Sequence, residues 1–396
     1  MSHITTILLA SAAVALIFYA AGIACALVHL RRRHRPAKPD ALPPISLLKP
    51  LKGPEEDLEG CLRSFFEQDY PAPFEVVFAT ANLGDSALAT ARRVAAAYPH
   101  VRSRFVLSDE NWGLNPKVSN LQGALSAARF DLALQTDANV WAPPDYLRTI
   151  VSEFVAEKAS LLSSLVSGIG ERSAGAAMEN LQLTAYVAPA CCAALKLAGV
   201  PCVIGKSMLF RRSELKSLGG LELVKDSLCE DFLLGRHYAE SGKKVVLSAT
   251  PIRNVNVRMG IDRSLSRHAR WLKMRAVIHV PGFIADLFAN PLGLTLLAWV
   301  SSGFEPVLAA AALAVATIKA TTEALVVRLV RGSPMRLTHT LWSPVKDVLM
   351  LGVWIYAIFS RTIEWRGIRF RLGNDSQLLP DQGALPVRVL RRLWNT

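Results

Sequence analysis

Charge is what this 396-residue chain has least of. Only 19% of its residues are Asp, Glu, Lys or Arg, against about 25% in ordinary soluble chains. With 51% apolar residues and a mean hydropathy of +0.28, part of the chain is expected to sit in lipid. The same apolar content excludes intrinsic disorder and collagen-like repetition. Cysteine is scarce as well. The six cysteines, at 25, 61, 191, 192, 202 and 229, show no C-x-x-C spacing and no His pairing suited to zinc. A disulfide-stapled secreted module is thereby excluded, and the six read as reduced thiols, with Cys191 and Cys192 a packing pair. Acidic residues are outnumbered by basic ones, 32 to 45, for a net charge of +13. Internal repeats and low-complexity tracts are absent. The length allows two ordinary domains.

The apolar residues are concentrated at the two ends. Residues 5–30 have His29 as their only ionisable group and are long enough to cross a hydrocarbon core of about 30 Å. A basic cluster, Arg31, Arg32, Arg33, His34 and Arg35, follows at once. A cleavable signal peptide carries its positive charge before the apolar run, so an uncleaved anchor is expected. The positive-inside tendency then puts residue 31 onward in the cytoplasm.

Near the other end, residues 287–304 and 306–327 flank Glu305 and read as a membrane hairpin. Lys319 and Glu323 are four apart and can pair on one face. They either mark a functional path or snorkel to water. Arg328, Arg331 and Arg336 return the chain to the cytoplasm. The last apolar run, 348–360, is short for a span and suits a re-entrant or interfacial helix. A full span with an external tail is the other reading, against which stand Arg361, Arg366, Arg369 and Arg371. The basic excess thus lies beside apolar spans and is not interleaved with aromatics, so no nucleic-acid partner is expected.

Between residues 36 and 280, strand-like and helix-like patterns alternate. A stiff proline-rich linker is expected over 36–44. Strands are expected over 45–48, 74–79, 101–107 and 131–136, with helices over 55–67, 86–98 and 117–128. Such alternation predicts a mostly parallel sheet with helices on both faces. Ligands of these sheets bind beyond the carboxyl ends of the strands, after residues 79 and 136. The expected organisation is an anchor over 1–35, an α/β domain over 36–280, a membrane region over 281–372 and a cytosolic tail over 373–396.

Four motifs carry residues suited to chemistry. Asp137 ends the fourth strand in TDANVW, with Asn139 two residues on. A carboxylate there can reach a divalent ion bridging two phosphates, because Mg2+ and Mn2+ prefer hard oxygens; it can also simply start the turn before Pro143 and Pro144. Glu230 and Asp231 open an apolar helix, where acids are also ordinary first-turn features. Arg267, Arg270 and Trp271 form an R-x-x-R-W pattern that can grip phosphate oxygens beside a flat apolar wall, or rest as a basic helix on anionic lipid. Residues 113–117, GLNPK, run into a helix with Lys117 at its start, which suits phosphate and equally suits helix initiation by proline.

In their order along the chain these blocks resemble the family-21 glycosyltransferases, the ceramide glucosyltransferases and their bacterial relatives. The matching stretches are 47–71, 113–121, 136–147, GKSMLFRRSEL at 205–215, CEDF at 229–232 and RHARW at 267–271; the resemblance covers roughly residues 1–372. It implies a GT-A, Rossmann-like cytosolic domain and an integral, multi-pass membrane protein. The implied reaction moves a sugar from a UDP-sugar to a lipid hydroxyl with inversion, most simply glucose from UDP-glucose to ceramide. Carried over by motif, Asp137 with Asn139 holds Mg2+ or Mn2+ and the diphosphate, and Asp231 is the general base. Lys117 belongs to the nucleotide-sugar set, and Arg267, Arg270 and Trp271 close over the diphosphate and the acceptor mouth. Asn82 stands at the first acidic position of the family's motif after the second strand, and Asp85 matches its later Asp. Three rival readings are transfer of N-acetylglucosamine to a hopanoid lipid, a processive polysaccharide synthase, and an inactive membrane scaffold.

Overall fold

The computed structural model describes residues 2–32, 42–365 and 368–380. Basic residues 33–35, most of the expected linker over 36–44, Arg366 and the tail beyond residue 380 lie outside the described residues. The chain divides into two compact units. A sheet unit comprises residues 30–166 and 197–255, and a helical unit comprises 1–29, 167–196 and 256–384. The boundaries differ from the single domain expected over 36–280: segments 167–196 and 256–280 pack with the C-terminal helices instead.

The strands are β1 Ile45–Pro50, β2 Phe74–Thr80, β3 Arg102–Leu107, β4 Leu132–Thr136, β5 Val140–Trp141, β6 Leu161–Ile169, β7 Ser207–Arg211 and β8 Val245–Val255. They form one sheet in the order β3-β2-β1-β4-β7-β6-β8-β5. β1 and β4 are buried along their whole length, as strands covered on both faces are. β3, at the sheet edge, opens with Arg102, Ser103 and Arg104 and leaves Phe105 and Leu107 exposed. Leu47 lies opposite Val76 of β2 and Leu134 of β4, all in parallel register.

The remainder of the sheet corrects the mostly parallel expectation. β7 runs antiparallel to β4, with Leu209 opposite Leu134, and β6 antiparallel to β7. Helices still separate these later strands, Ala174–Ala198 between β6 and β7 and Glu230–Glu240 between β7 and β8, yet β4, β7 and β6 pair antiparallel. Leu48, Val77, Leu121, Phe210 and Tyr238 share one buried core, each large apolar side chain contributing about 1.5–3 kcal/mol. The helix expected over 55–67 starts later, at Leu58–Phe66, because Asp57 takes a left-handed conformation at φ 51°.

In the helical unit, His3–Leu30 is one continuous helix. Among the described residues four helices are long and apolar enough to cross a membrane: His3–Leu30, Ala174–Ala198, Pro306–Arg331 and Leu337–Phe359. The bent pair Val280–Phe288 and Pro291–Ser301, which meet at 65°, makes five if counted as one span. Large apolar side chains stay exposed on these helices, among them Ile17, Leu313 and Phe359, as lipid-facing surface requires.

Three expectations are adjusted here. The first arm of the hairpin, expected over 287–304, is two helices broken at Asn290-Pro291, where Asn290 caps the second through Gly293 N–H at 3.0 Å. The last apolar run extends back to Ser343 and beyond, so it meets the length of a span. Finally, Lys319 and Glu323 do not snorkel. They pair at 3.4 Å and are buried with Lys346 and Asp347 of the helix Ser343–Phe359. Lys319 reaches Asp347 at 3.0 Å, and Lys346 reaches Glu323 at 2.9 Å and Asp347 at 3.2 Å. Two ammoniums and two carboxylates balance, which is how ionisable groups persist away from water.

Candidate functional site

Asp137 follows the last residue of β4, at the carboxyl edge of the parallel half of the sheet. Its two carboxylate oxygens meet two lysines: Oδ1 takes Lys117 Nζ at 3.0 Å and Oδ2 takes Lys206 Nζ at 2.9 Å. Lys117 is delivered by the helix Pro116–Ala127, whose start is fixed by the Asn115 side chain accepting from Lys117 N at 2.9 Å and Val118 N at 3.2 Å. Lys206 stands one residue before β7 and also donates to Asn139 Oδ1 at 2.9 Å. Below Asp137, the buried Lys49 of β1 donates to its backbone carbonyl at 3.3 Å and lies 3.3 Å over the Phe65 ring.

Lys117 bridges this group to the acidic pair. Its Nζ lies 2.9 Å from Glu230 Oε1 and 3.4 Å from the Gly205 carbonyl. Gly205 N–H donates to Asp231 Oδ2 at 2.5 Å, while Phe232 N–H donates to Oδ1 at 2.8 Å. A Cβ on Gly205 would come within 2.8 Å of Lys117 Nζ and 2.9 Å of Asp231 Oδ2, so only glycine permits this approach. The Glu230–Glu240 helix thus presents Asp231 pinned by backbone donors, with Glu230 turned toward the lysine.

Electrostatics follow from that packing. Burial works to raise the Asp137 carboxyl, but Lys117 and Lys206 outweigh it and hold the group well below the usual carboxylate range. Burial likewise disfavours a charged Lys117, and Asp137, Glu230 and Asp231 more than compensate, pushing it up. For Glu230 the balance is opposite: burial and Asp231 raise it, against the pull of Lys117. Burial lowers Lys49 to about 7. Three carboxylates (Asp137, Glu230, Asp231) against two ammoniums (Lys117, Lys206) leave a formal charge of about −1.

Asn82 and Asp85 lie just past β2, with Asn82 Oδ1 accepting from Gly84 N at 2.9 Å. Asp85 caps the helix Ser86–Ala97 through Ala87 N at 2.8 Å and receives Gly53 N at 3.0 and 2.9 Å. Arg267, Arg270 and Trp271 are on the helix Ile261–Ile278 of the helical unit. There Arg267 pairs with the fully buried Glu179 at 2.9 Å, which also takes Ser264 Oγ at 2.8 Å and His268 Nε2 at 2.9 Å. Trp271 packs edge-on against the His268 ring, 5.2 Å away.

Asp137 and Asn139 fit a divalent cation in chemistry: both offer hard oxygens, and Mg2+ or Mn2+ needs few protein ligands when a diphosphate supplies the rest. An ammonium, Lys206 Nζ, already occupies the position 2.9 Å from each. Among the described residues no group of three or more His, Cys, Asp or Glu gathers around a metal-sized space. Lys206 and Glu179 were not singled out from the sequence, and Glu230 was noted only beside Asp231 and given no role. Glu230 reads there as a capping acid, Lys206 had only its place in the GKSMLFRRSEL block, and Glu179 stands in an apolar stretch whose one acid was the available signal.

These features define an α/β protein with membrane-length helices and a lysine-bridged acidic cluster at the edge of its sheet. The chain belongs to glycosyl transferase family 21, whose family model matches residues 8–378. It is similar to "Ceramide glucosyltransferase 1" of Caenorhabditis elegans, 27% identical over 62% of this chain and 52% of the relative. It is also similar to "Ceramide glucosyltransferase" of Komagataella phaffii, 30% identical over 43% of this chain and 38% of the relative. The chain spans about half the length of the first of these curated relatives. Among solved structures it resembles the mannosyltransferase PcManGT from Pyrobaculum calidifontis in complex with GDP-Man and Mn2+. The TM-score is 0.46 at 20% identity, covering 88% of this chain and 99% of that one.

Proposed function

We propose that the chain is an inverting glycosyltransferase that moves glucose from UDP-glucose to the hydroxyl of ceramide, with its sheet unit facing the cytoplasm. The observation that carries this reading is the meeting of Asp137 and Asp231 through Lys117 and Gly205. Departing UDP needs its growing negative charge neutralised, and Lys117 and Lys206 are the ammoniums at hand. Asp231, held by two backbone N–H groups, takes the proton of the acceptor hydroxyl as that oxygen attacks the anomeric carbon. Asn82 and Asp85 complete the donor set within the sheet unit.

A formal site charge of about −1 repels a diphosphate, which supports a divalent cation held by Asp137 and Asn139. When bound, it supplies Lewis-acid neutralisation of the diphosphate. Lys206, which contacts both Asp137 and Asn139, would supply a further ammonium for the phosphate oxygens.

The test gives membranes carrying the protein labelled UDP-sugars and separates the lipid and polymer fractions. Label in a single-sugar ceramide from UDP-glucose supports the reading. Label in N-acetylglucosaminyl hopanoid redirects the acceptor, and long polymer or no transfer with any donor, lipid or divalent ion contradicts it.

A further inference from the structure

We propose that Lys206 is a resident counter-ion that keeps Asp137 and Asn139 closed to a divalent cation, so that the cation binds tightly only together with a nucleotide diphosphate. The proposal rests on the nucleotide-sugar reading above and adds to it a residue that sets when the cation binds. All of the residues involved belong to the sheet unit.

The two oxygens suited to a cation are already matched. Lys206 Nζ lies 2.9 Å from Asp137 Oδ2 and donates to Asn139 Oδ1 at 2.9 Å. Among the described residues its ammonium makes no other ion pair or hydrogen bond. Lys117 differs, being tied to Glu230 at 2.9 Å and to the Gly205 carbonyl as well as to Asp137 Oδ1. Lys206 is thus the ammonium that bridges the two candidate cation ligands. Mg2+ coordinates oxygen at about 2.0–2.1 Å, so a cation on the same two oxygens stands against that ammonium, and like charges so close repel. A diphosphate changes the balance twice over: it brings negative charge for the cation and acceptor oxygens for an ammonium. The cluster keeps an open side for it, since the Asp137 and Lys206 side chains are 23% and 16% exposed. A lysine head on its flexible four-carbon stem exchanges partners without a change of backbone. Coupling of this kind is reciprocal, the cation raising nucleotide affinity by the factor the nucleotide raises its own.

Mn2+ is titrated into the full chain in detergent, with and without UDP, and free Mn2+ is read from its electron paramagnetic resonance signal. The wild type is expected to bind Mn2+ roughly tenfold or more tighter when UDP is present, within the range of such couplings. Lys206→Met should bind Mn2+ without UDP roughly tenfold or more tighter than the wild type, the range a lost contact between charged groups supplies, and the gain from UDP should shrink. Lys206→Arg, which keeps the charge, should behave as the wild type does. Adding Asp137→Asn to Lys206→Met should remove the gained affinity, which ties the ion to this carboxylate. Thermal midpoints report whether each variant is folded; should Lys206→Met not fold, Lys206→Gln makes the same comparison. Equal Mn2+ affinity in the wild type and Lys206→Met without UDP overturns the proposal. So does wild-type Mn2+ binding that UDP leaves unchanged, or a gain in Lys206→Met that survives Asp137→Asn. Sugar transfer from UDP-glucose alongside any of these results leaves the enzyme reading standing. Lys206-dependent, UDP-coupled Mn2+ binding with no transfer from any donor does the reverse.

Discussion

At the scale of single residues, the two acids of the cluster have separable duties. Asp137 is locked between two ammoniums, whereas Asp231 accepts one main-chain N–H on each oxygen, of which an Asn amide keeps one. Asp231→Asn is therefore expected to keep UDP affinity within about twofold while turnover falls about 10²–10⁴-fold, the usual contribution of a positioned base. Isothermal titration with UDP, set beside initial rates of lipid glycosylation, checks both halves. Lys49 makes a different prediction. Its pKa is about 7 in the fold against 10.5 ordinarily, so between those values the unfolded chain binds more protons than the native one. Stability from this group accordingly rises as pH climbs from about 7 to 10.5, by an amount on the order of a few kcal/mol. Thermal midpoints of the detergent-solubilised chain should show that rise in the wild type. The same rise in Lys49→Met would show that another group causes it.

At the scale of elements, the apolar helices are joined by a balanced square of charges rather than by hydrocarbon alone. Glu323→Gln or Lys346→Met alone leaves a buried charge unmatched and should cost about 3–5 kcal/mol, while the double variant, neutral again, should recover much of that. Detergent melting curves of the three variants decide it; additive losses would mean the square does not act as a unit. Much of this level was legible in the sequence. The alternation between residues 45 and 136 identified four strands and their crossovers, because strands buried on both faces are continuous apolar runs. Proline and basic flanks marked the helix ends. The later, antiparallel strands were not legible, since the helices between them, Ala174–Ala198 and Glu230–Glu240 among them, continue the alternation that a parallel sheet also shows. Nor was the segment Ala174–Ala198, whose polar residues Glu179, Asn180 and Gln182 break the apolar run although they are buried in the fold.

At the scale of the whole molecule, Asp137, Glu230 and Asp231 stood out in sequence as separate acids, but their partners come from distant segments. Lys117, Lys206 and Gly205 join them only once β4, β7 and the helix Glu230–Glu240 are assembled. No local pattern encodes that convergence. It is also where the central claim is exposed, since a UDP leaving group has to settle on this cluster for either lysine or either acid to matter. Hydrogen–deuterium exchange of the full chain, with and without UDP and Mn2+, reads that out directly. Slowed exchange is expected in peptides spanning 113–119, 137–140 and 203–208. Protection confined to other segments, with these three unchanged, would contradict a nucleotide seat at Asp137.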